Sequence, residues 1–295
     1  MTKNLLYLWA SDYAENSGEG KLARLFTKYL IKNDKYKIKL NQNITYYRYL
    51  SPFFGILYCW KYYLKKKRVA YINYLPLWNF FIFMLLPPKT ILGPITGGAK
   101  YSYSNEISFF IRKLLFPLFY KISEYFLLLR STEVFFSTDL LKQNLSNKLK
   151  HKSKFNFLIN NMNFKKLNNQ NKDIDFLLYY RKHKNKESFF PHQFIKKITL
   201  SGFKIDVIGD KLNIKNIKNH GYLKNKDVQK LQSRTKFTIA SGENIYSIFT
   251  VECLTNGVKI LIDKKYYNQA KFLKKEFIIT NFKENKNVLK LKKIK

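Results

Sequence analysis

The richest set of chemical groups in this sequence lies in SGENIYSIFTVECLTNG, residues 241–257. It follows KFTIA, a pattern typical of a buried strand, and its second part predicts a helix. The loop between them carries a carboxylate, an amide and a hydroxyl, those of Glu243, Asn244 and Ser247. The helix N-terminus beside this loop favours phosphate, because its first N–H groups have no partner within the helix.

Glu252 lies about one turn inside that predicted helix. From there its carboxylate could reach back toward the loop and accept hydrogen bonds from two hydroxyls of a ribose. The alternative is that Glu243 and Glu252 are surface acids. Acids are scarce in this chain, 19 against 55 Lys and Arg, which favours a binding role.

A glycine-containing loop follows the first predicted strand, in ASDYAENSGEGKLARLF, residues 10–26. Ser17, Gly18 and Gly20 stand before a helix predicted to begin near Lys21, and they would let a phosphate or a sugar approach the backbone closely. The loop matches neither GxxxxGK[ST] nor GxGxxG. A tight turn without a ligand is the alternative.

A second such loop is LGPITGGAKY, residues 92–101, at the end of a predicted strand. Its Thr96 and Gly97 suit a loop that binds an acceptor or a phosphate, but a plain turn would use the same residues.

Cysteine and histidine exclude several classes of site. Cys59 and Cys253 are the only cysteines and are far apart, so a disulfide framework and a multi-cysteine zinc site are excluded, and a reducing compartment fits. The four histidines, at 151, 183, 192 and 220, lack the spacing of metal ligands. The sequence therefore predicts no metal.

The chain of 295 residues has a net charge of +36, which would attract polyanions and anionic lipid. Lys, Asn, Ile, Phe and Tyr are abundant throughout, as an AT-rich coding bias would produce, so part of this charge could be a solvated surface. No nucleic-acid-binding motif is found and the basic residues do not concentrate in one tail or helix. Nucleic acid is therefore not the expected partner.

Targeting signals point to a cytoplasmic protein. The short apolar run at the N-terminus meets Asp12 and Glu15, unlike a secretion signal. No stretch reaches the roughly 18 apolar residues that span a bilayer, and residues 107–129 are interrupted by charges and Pro117. The expected location is cytoplasmic, at the periphery of the inner face of the cell membrane.

Short β-rich runs alternate with helical stretches, which predicts α/β layers with largely parallel sheets. An Asn/Lys-rich stretch, residues 160–172, is predicted to link two domains, 1–165 and 173–295. The predicted strands are 5–9, 36–40, 69–74, 90–92, 133–136, 155–159, 175–180, 204–208, 220–223, 236–240 and 259–263. The predicted helices are 21–31, 53–64, 78–85, 107–129, 191–200, 227–233 and 248–255, with a short one after Thr138–Asp139.

Residues 241–257 resemble the nucleotide-sugar-dependent glycosyltransferases of GT-B fold, in particular the "glycosyl transferases group 1" type. Tyr246–Ser247 resemble that family's aromatic-Gly step, Glu252 matches its second Glu, and residues 256–258 resemble its turn into the next strand. The first acid departs from the pattern, because Asn244 occupies its position and Glu243 comes one residue early. The departure leaves retaining and inverting stereochemistry open. KFTIASGEN followed by TVE is also similar to the α-1,3-fucosyltransferase family, which shares the fold and inverts.

The resemblance implies an α/β protein of two Rossmann-like domains facing a cleft, with the donor in the second. It assigns the diphosphate to Arg181 and Lys186 of YYRKHKNK, where positive charge would stabilise the departing nucleoside diphosphate without a metal. In so basic a chain, any lysine-rich loop could match by chance. The other implied donor-binding residues are Tyr246, Ser247, Glu252 for the ribose, and Gly209 of IDVIGD near the base.

In the same family, Glu243 or Asn244 would contact the donor sugar, and the loop with Gly18 and Gly20 would face the cleft from the first domain. If the enzyme inverts, its general base lies among the acids of that loop, and Glu19 is our candidate. The resemblance covers residues 175–263 in order and is topological only in the first half. The chain ends soon after residue 263, so we expect looser domain closure or an incomplete sequence.

The predicted function is metal-independent transfer of a sugar from a nucleoside-diphosphate sugar to a hydroxyl of a glycan or lipid-linked glycan, as in polysaccharide biosynthesis, with no cofactor. The alternatives are a non-catalytic nucleotide-sugar-binding protein on the same scaffold and a polyanion-binding protein. Aromatic, basic faces within residues 53–68 and 107–130 could dock on an anionic membrane, or they could be core helices whose lysines reach past them to water.

Overall fold

A computed structural model describes residues 5–284 except 16, 35, 43–49, 98–106, 163–170 and 270–276. The described residues form two compact units. The first unit contains residues 5–97 and 107–161, and the second contains the described residues from 162 onward. Most of the predicted linker lies outside the described residues.

A parallel sheet of order β2-β1-β3-β4 is the centre of the first unit. Its strands β1 to β4 are Leu5–Ala10, Lys37–Gln42, Arg68–Ile72 and Ile91–Leu92. The helices α1 to α4 are Gly18–Asn33, Ser51–Leu64, Phe80–Leu85 and Ile107–Leu129. The unit ends with strand β5, Val134–Phe135, a 3-10 turn, Lys142–Asn144, helix α5, Asn147–Lys152, strand β6, Ser153–Lys154, and helix α6, Phe157–Asn161.

The second unit has a six-stranded sheet in which every neighbouring pair is parallel. Its strands β7 to β12 are Ile174–Tyr180, Ile205–Gly209, Ile217–Asn219, Thr235–Ile239, Lys259–Asp263 and Phe277–Thr280. The helices α7 to α10 are Lys184–Ser188, His192–Leu200, Asn225–Ser233 and Ile248–Thr255, and a 3-10 turn covers Lys264–Gln269.

The strand order of this sheet, β9-β8-β7-β10-β11-β12, is the Rossmann order. The direction of the order reverses between β7 and β10. In such sheets, ligands bind outside the carboxyl ends of the strands at the reversal. The predicted α/β class with parallel sheets is therefore confirmed, and the topology points to one edge of the second unit.

Three local predictions were wrong or incomplete. The strand predicted at 220–223 is absent, and the strand of this region is β9, Ile217–Asn219. Residues 155–159, predicted as a strand, instead lead into α6. Asn156 has a φ of 58°, which ends any extended run, and the ring of Phe157 lies 5.2 Å from that of Phe26. Helix α1 begins at Gly18, three residues before the predicted start, because the Ser17 hydroxyl accepts a hydrogen bond from the Gly20 N–H.

Within the described ranges, no helix has both the length and the apolar character needed to cross a membrane.

Helix α2 approaches the sheet of the first unit at Gly55. A Cβ atom at that position would lie 2.6 Å from the ring of Tyr71 and equally tight against Trp9. We therefore expect Gly55→Ala to lower the free energy of unfolding by about 1–3 kcal/mol, because overpacking exceeds the gain of about 1 kcal/mol in helix propensity. Urea unfolding measures the change. Leu57→Ala, at an exposed position of the same helix, should change stability by less than about 0.5 kcal/mol. Equal effects at the two positions would contradict this packing.

Candidate functional site

The reversal of strand order brings basic and acidic side chains to the carboxyl edge of the second sheet. Arg181 follows β7, Lys186 lies in α7, and Glu243 lies in the loop between β10 and α10. The pKa of Lys186 is lowered, first by burial and also by the positive charge of Arg181, while the carboxylate of Glu243 opposes the shift. The three side chains therefore lie within electrostatic range of one another.

Tyr179, the second-last residue of strand β7, lies beside this cluster. Its ring centre lies 5.6 Å from that of Phe249, in the first turn of α10, and its hydroxyl lies within electrostatic range of Arg181. Burial raises the pKa of Tyr179, and Arg181 opposes that rise. The contact links strand β7, which Arg181 follows, to helix α10, whose N-terminus lies at the same edge.

Gly209 ends β8 with a φ of 97°, and a Cβ atom there would collide with the carbonyl oxygen of Tyr180. The next residue, Asp210, joins three segments. Its carboxylate accepts hydrogen bonds from the Lys182 N–H at 2.7 Å and from the Tyr222 hydroxyl at 2.7 Å. These bonds, led by that of Tyr222, hold the pKa of Asp210 below its ordinary value. Asp210 was missed in the sequence, although a polar residue directly after a strand-ending glycine is a usable signal.

The loop before α10 uses several predicted site residues to hold its own shape. The Asn244 side-chain oxygen accepts a hydrogen bond from the Tyr246 N–H at 3.1 Å. The Ser247 hydroxyl caps α10 by accepting from the Thr250 N–H at 3.2 Å. Tyr246 is fully buried and donates its hydroxyl to the Gln269 carbonyl oxygen. These three side chains therefore support the loop, and that of Tyr246 belongs to the core.

Glu252 is 7% exposed and lies on the inner side of α10, about one turn from its N-terminus. Gly242, in the loop before the helix, packs against the ring of Tyr266 so closely that no Cβ atom would fit. Tyr266 was another residue missed in the sequence, because its contact depends on the 3-10 turn after β11.

In the first unit, the loop after β1 is held by a short hydrogen-bond network. The Ser17 hydroxyl donates to the Asp12 carboxylate at 2.6 Å, which also accepts from the Ala14 N–H at 2.9 Å. Asn73, buried after β3, donates its amide to the Asp12 and Glu19 carbonyl oxygens and accepts from the Ser11 N–H. Asn73 was not predicted as a site residue, because its role depends on contacts with segments more than 50 residues away.

Glu19 lies in the first turn of α1, and its Oε2 is buried without a hydrogen-bond partner in the part of the chain that the structure describes. Burial, and secondarily the negative charge of Asp12, raise its pKa from 4.5 to about 7. The carboxyl can therefore gain or lose a proton near neutral pH.

The other predicted residues of the first unit have backbone roles. A Cβ atom on Gly20 would lie 2.6 Å from the Ala14 nitrogen, so this glycine allows the loop to pack on α1, whose first residue is the exposed Gly18. The Thr96 N–H donates to the Leu75 carbonyl oxygen at 3.0 Å. Gly97 has a φ of 130° and open space around its Cα.

A concavity of about 320 Å³ lies at the opposite, amino edge of the second sheet. Its lining includes Asp173 and Arg234, whose carboxylate and Nε lie 2.8 Å apart, and Asp206, whose carboxylate lies 2.6 Å from His220 Nε2. Lys204 and Lys218 also line it. The strand reversal is the stronger candidate, because ligands of such sheets bind outside the carboxyl ends of the strands. The described residues contain no group of three or more His, Cys, Asp or Glu arranged to hold a metal.

Comparison with known proteins finds similarity at the level of structure. No protein-family model matches the sequence, and no match is found among curated proteins. Among solved structures, Anabaena HepE in complex with UDP is similar over 98% of this chain and 89% of its own, with 10% identity and a TM-score of 0.56.

Two further structures are similar. Staphylococcus aureus MnaA with UDP covers 99% of this chain and 87% of its own, with 12% identity and a TM-score of 0.52. The Methanocaldococcus jannaschii UDP-GlcNAc 2-epimerase in complex with UDP-GlcNAc and UDP covers 99% of this chain and 92% of its own, with 12% identity and a TM-score of 0.50. The fold is of the GT-B type. At these identities, the likeness establishes the fold and singles out neither the group 1 type nor the fucosyltransferases.

The raised pKa of Glu19 predicts a pH dependence of stability. The folded protein keeps the Glu19 proton up to a pH of about 7, whereas the unfolded chain loses it near pH 4.5. The free energy of unfolding therefore falls as the pH rises from about 4.5 to about 7. We expect Glu19→Gln to be more stable than the wild type at about pH 8 and to lose most of this advantage at about pH 5. Urea unfolding at both pH values measures the difference.

Glu15→Gln removes the same charge from an exposed position of the same loop and controls for net charge. A Glu19→Gln advantage that is the same at both pH values would contradict a raised pKa.

Proposed function

We propose that this protein is a metal-independent glycosyltransferase that moves a sugar from a nucleoside-diphosphate sugar to a hydroxyl of a glycan or lipid-linked glycan. The observation that carries the proposal is the grouping of Arg181, Lys186 and Glu243 at the strand reversal of a Rossmann sheet. The similar structures that contain UDP or UDP-GlcNAc support a nucleotide-sugar substrate.

The diphosphate would bind between Arg181, Lys186 and the first N–H groups of α10. Burial and a neighbouring cation both disfavour the charged form of Lys186, so an anion placed between the two cations would relieve that cost. The same charges would stabilise the nucleoside diphosphate as the bond to the sugar breaks.

The donor's other groups would meet the rest of this edge. Glu243 is the candidate for contact with the sugar, because the amide of Asn244 is already engaged with the loop backbone. Glu252 would accept hydrogen bonds from the ribose, and Gly209 would allow the base to approach the end of β8. Tyr246 and Ser247 would act indirectly by fixing the loop.

Glu19 is our candidate for the general base of an inverting reaction. A base with a pKa of about 7 can accept the acceptor's hydroxyl proton at neutral pH. The loops with Gly18 and Gly20 and with Thr96 and Gly97 would contact the acceptor. We propose a cytoplasmic location at the inner face of the cell membrane, where lipid-linked acceptors lie, and no cofactor.

A non-catalytic nucleotide-sugar-binding protein is the second candidate. The engagement of Asn244 with the loop favours it, since the family's first acid stands at that position.

We expect Arg181→Gln and Lys186→Met each to weaken binding of UDP by about tenfold to a hundredfold, because each removes a charge-assisted contact worth about 1.5–3 kcal/mol. Isothermal titration calorimetry measures the loss. Lys230→Met removes an equal charge from an exposed position of α9 and should bind like the wild type. If all three variants bind UDP alike, the phosphate site lies elsewhere.

Turnover separates the candidate functions. Incubation with UDP-, GDP-, ADP- and dTDP-sugars and a lipid-linked glycan acceptor should release a nucleotide only when the acceptor is present. Binding without release would identify the non-catalytic protein. Conversion of the sugar without acceptor would identify an epimerase. Salt-sensitive binding of nucleic acid, unaffected by nucleotide sugars, would identify a polyanion-binding protein.

A further inference from the structure

Three helices of the first unit present large apolar side chains to solvent. Those on α2 and α4 repeat at helical spacing along one side of each helix, and the short helix α3 contributes three more. We call this set the apolar face; its members are Phe53, Phe54, Leu57, Trp60 and Leu64 on α2, Phe81, Met84 and Leu85 on α3, and Phe110, Leu114, Leu118, Tyr125 and Leu129 on α4. All are at least 36% exposed, and Leu64 reaches 73%.

The three helices pack into one platform. The Trp60 indole N–H donates to the Leu85 carbonyl oxygen at 2.7 Å, which joins α2 to α3. Arg130, buried after α4, donates to the Leu86 carbonyl oxygen at 3.1 Å, and the rings of Phe80 and Phe119 lie 5.3 Å apart, which joins α3 to α4. These contacts between the three helices therefore fix the positions of the residues of the apolar face.

Helix α4 is apolar on two sides. Tyr120 and Leu127 are buried against the unit, while Leu114, Leu118 and Leu129 point to water. A surface helix of a globular protein normally has one apolar stripe, which faces the core. A second, exposed stripe marks an interaction surface.

The charge around the apolar face is predominantly positive. Residues 50–97 contain six Lys and Arg and no Asp or Glu, and all six are exposed. Five of them lie in or just after α2: Lys61, Lys65, Lys66, Lys67 and Arg68. Helix α4 adds the exposed Arg112, Lys113 and Lys121 and one acid, Glu124, whose carboxylate accepts a hydrogen bond from the Ser146 N–H. A second copy of this face would therefore meet like charge, whereas an anionic lipid surface would meet opposite charge, at about 1 kcal/mol for each Lys or Arg near it.

We propose that the apolar face docks on a lipid bilayer that contains anionic lipid. Its leucine and phenylalanine side chains would enter the boundary between headgroups and acyl chains, while the lysines around them contact lipid phosphates. Trp60 and Tyr125 suit the same boundary, because their rings are apolar with one polar atom. This inference does not depend on the donor site, and it assigns specific residues to the membrane location proposed above.

Vesicle flotation tests the docking with the full chain and phosphatidylcholine vesicles, with and without phosphatidylglycerol. We expect binding to the anionic vesicles, reduced about tenfold or more by Leu114→Ser/Leu118→Ser, which leaves the net charge unchanged. Leu200→Ser, at an 89% exposed leucine of α8 in the second unit, is the matched control and should bind like the wild type.

A protein of net charge +36 could also adsorb to anionic vesicles through charge alone. In that case the leucine variants would bind like the wild type, and the proposal would be overturned. Absence of binding to either vesicle would also overturn it. A lipid-free dimer seen by light scattering and dissociated by Leu114→Ser/Leu118→Ser would assign the face to a second copy instead. UDP titration of the leucine variants tests the donor site separately. The membrane proposal and the donor-site proposal can therefore fail independently of each other.

Discussion

The reversal of strand order between β7 and β10 is the constraint on which the rest of the second unit depends. In sheets of this order, chain segments leave the two adjacent strands toward opposite sides, which opens a crevice at the carboxyl edge between them. The chain brings two cations and one acid, Arg181, Lys186 and Glu243, to this edge, together with the N-terminus of a helix. Asp210 and Tyr179 hold the surrounding segments, which gives the cluster a defined geometry.

Much of the second unit could be predicted from the sequence, because its strands are short, apolar and bounded by polar residues. The predicted strand 259–263 and the predicted helix 248–255 begin and end at the same residues as β11 and α10. The short run at 155–159 could not be assigned in this way, because a few apolar residues fit a buried strand and a helix equally well. The contact of Phe157 with Phe26, 131 residues away in sequence, accompanies its helical form.

The candidate site was predictable where chemistry follows residue type, and not where it follows tertiary contacts. Glu243 was predicted because a charged group after a strand is visible in a sequence, and Arg181 and Lys186 were predicted from the family resemblance of the segment after β7. Tyr246 looked equally suitable but is fully buried, and only the fold reveals that. The pKa of Glu19 and the hydrogen bonds of Asn73 likewise arise from burial and from segments distant in sequence.

The two-sided character of helix α4 has a consequence for how the protein behaves in dilute buffer. High net charge ordinarily keeps proteins dispersed, but salt at about 0.1 M screens the repulsion between like charges more than about 10 Å apart. Salt does not screen the attraction between apolar leucine side chains. Adding salt should therefore promote aggregation of the protein through this helix. For purification, a mild detergent at low ionic strength would be a better choice than the high salt usually applied to basic proteins.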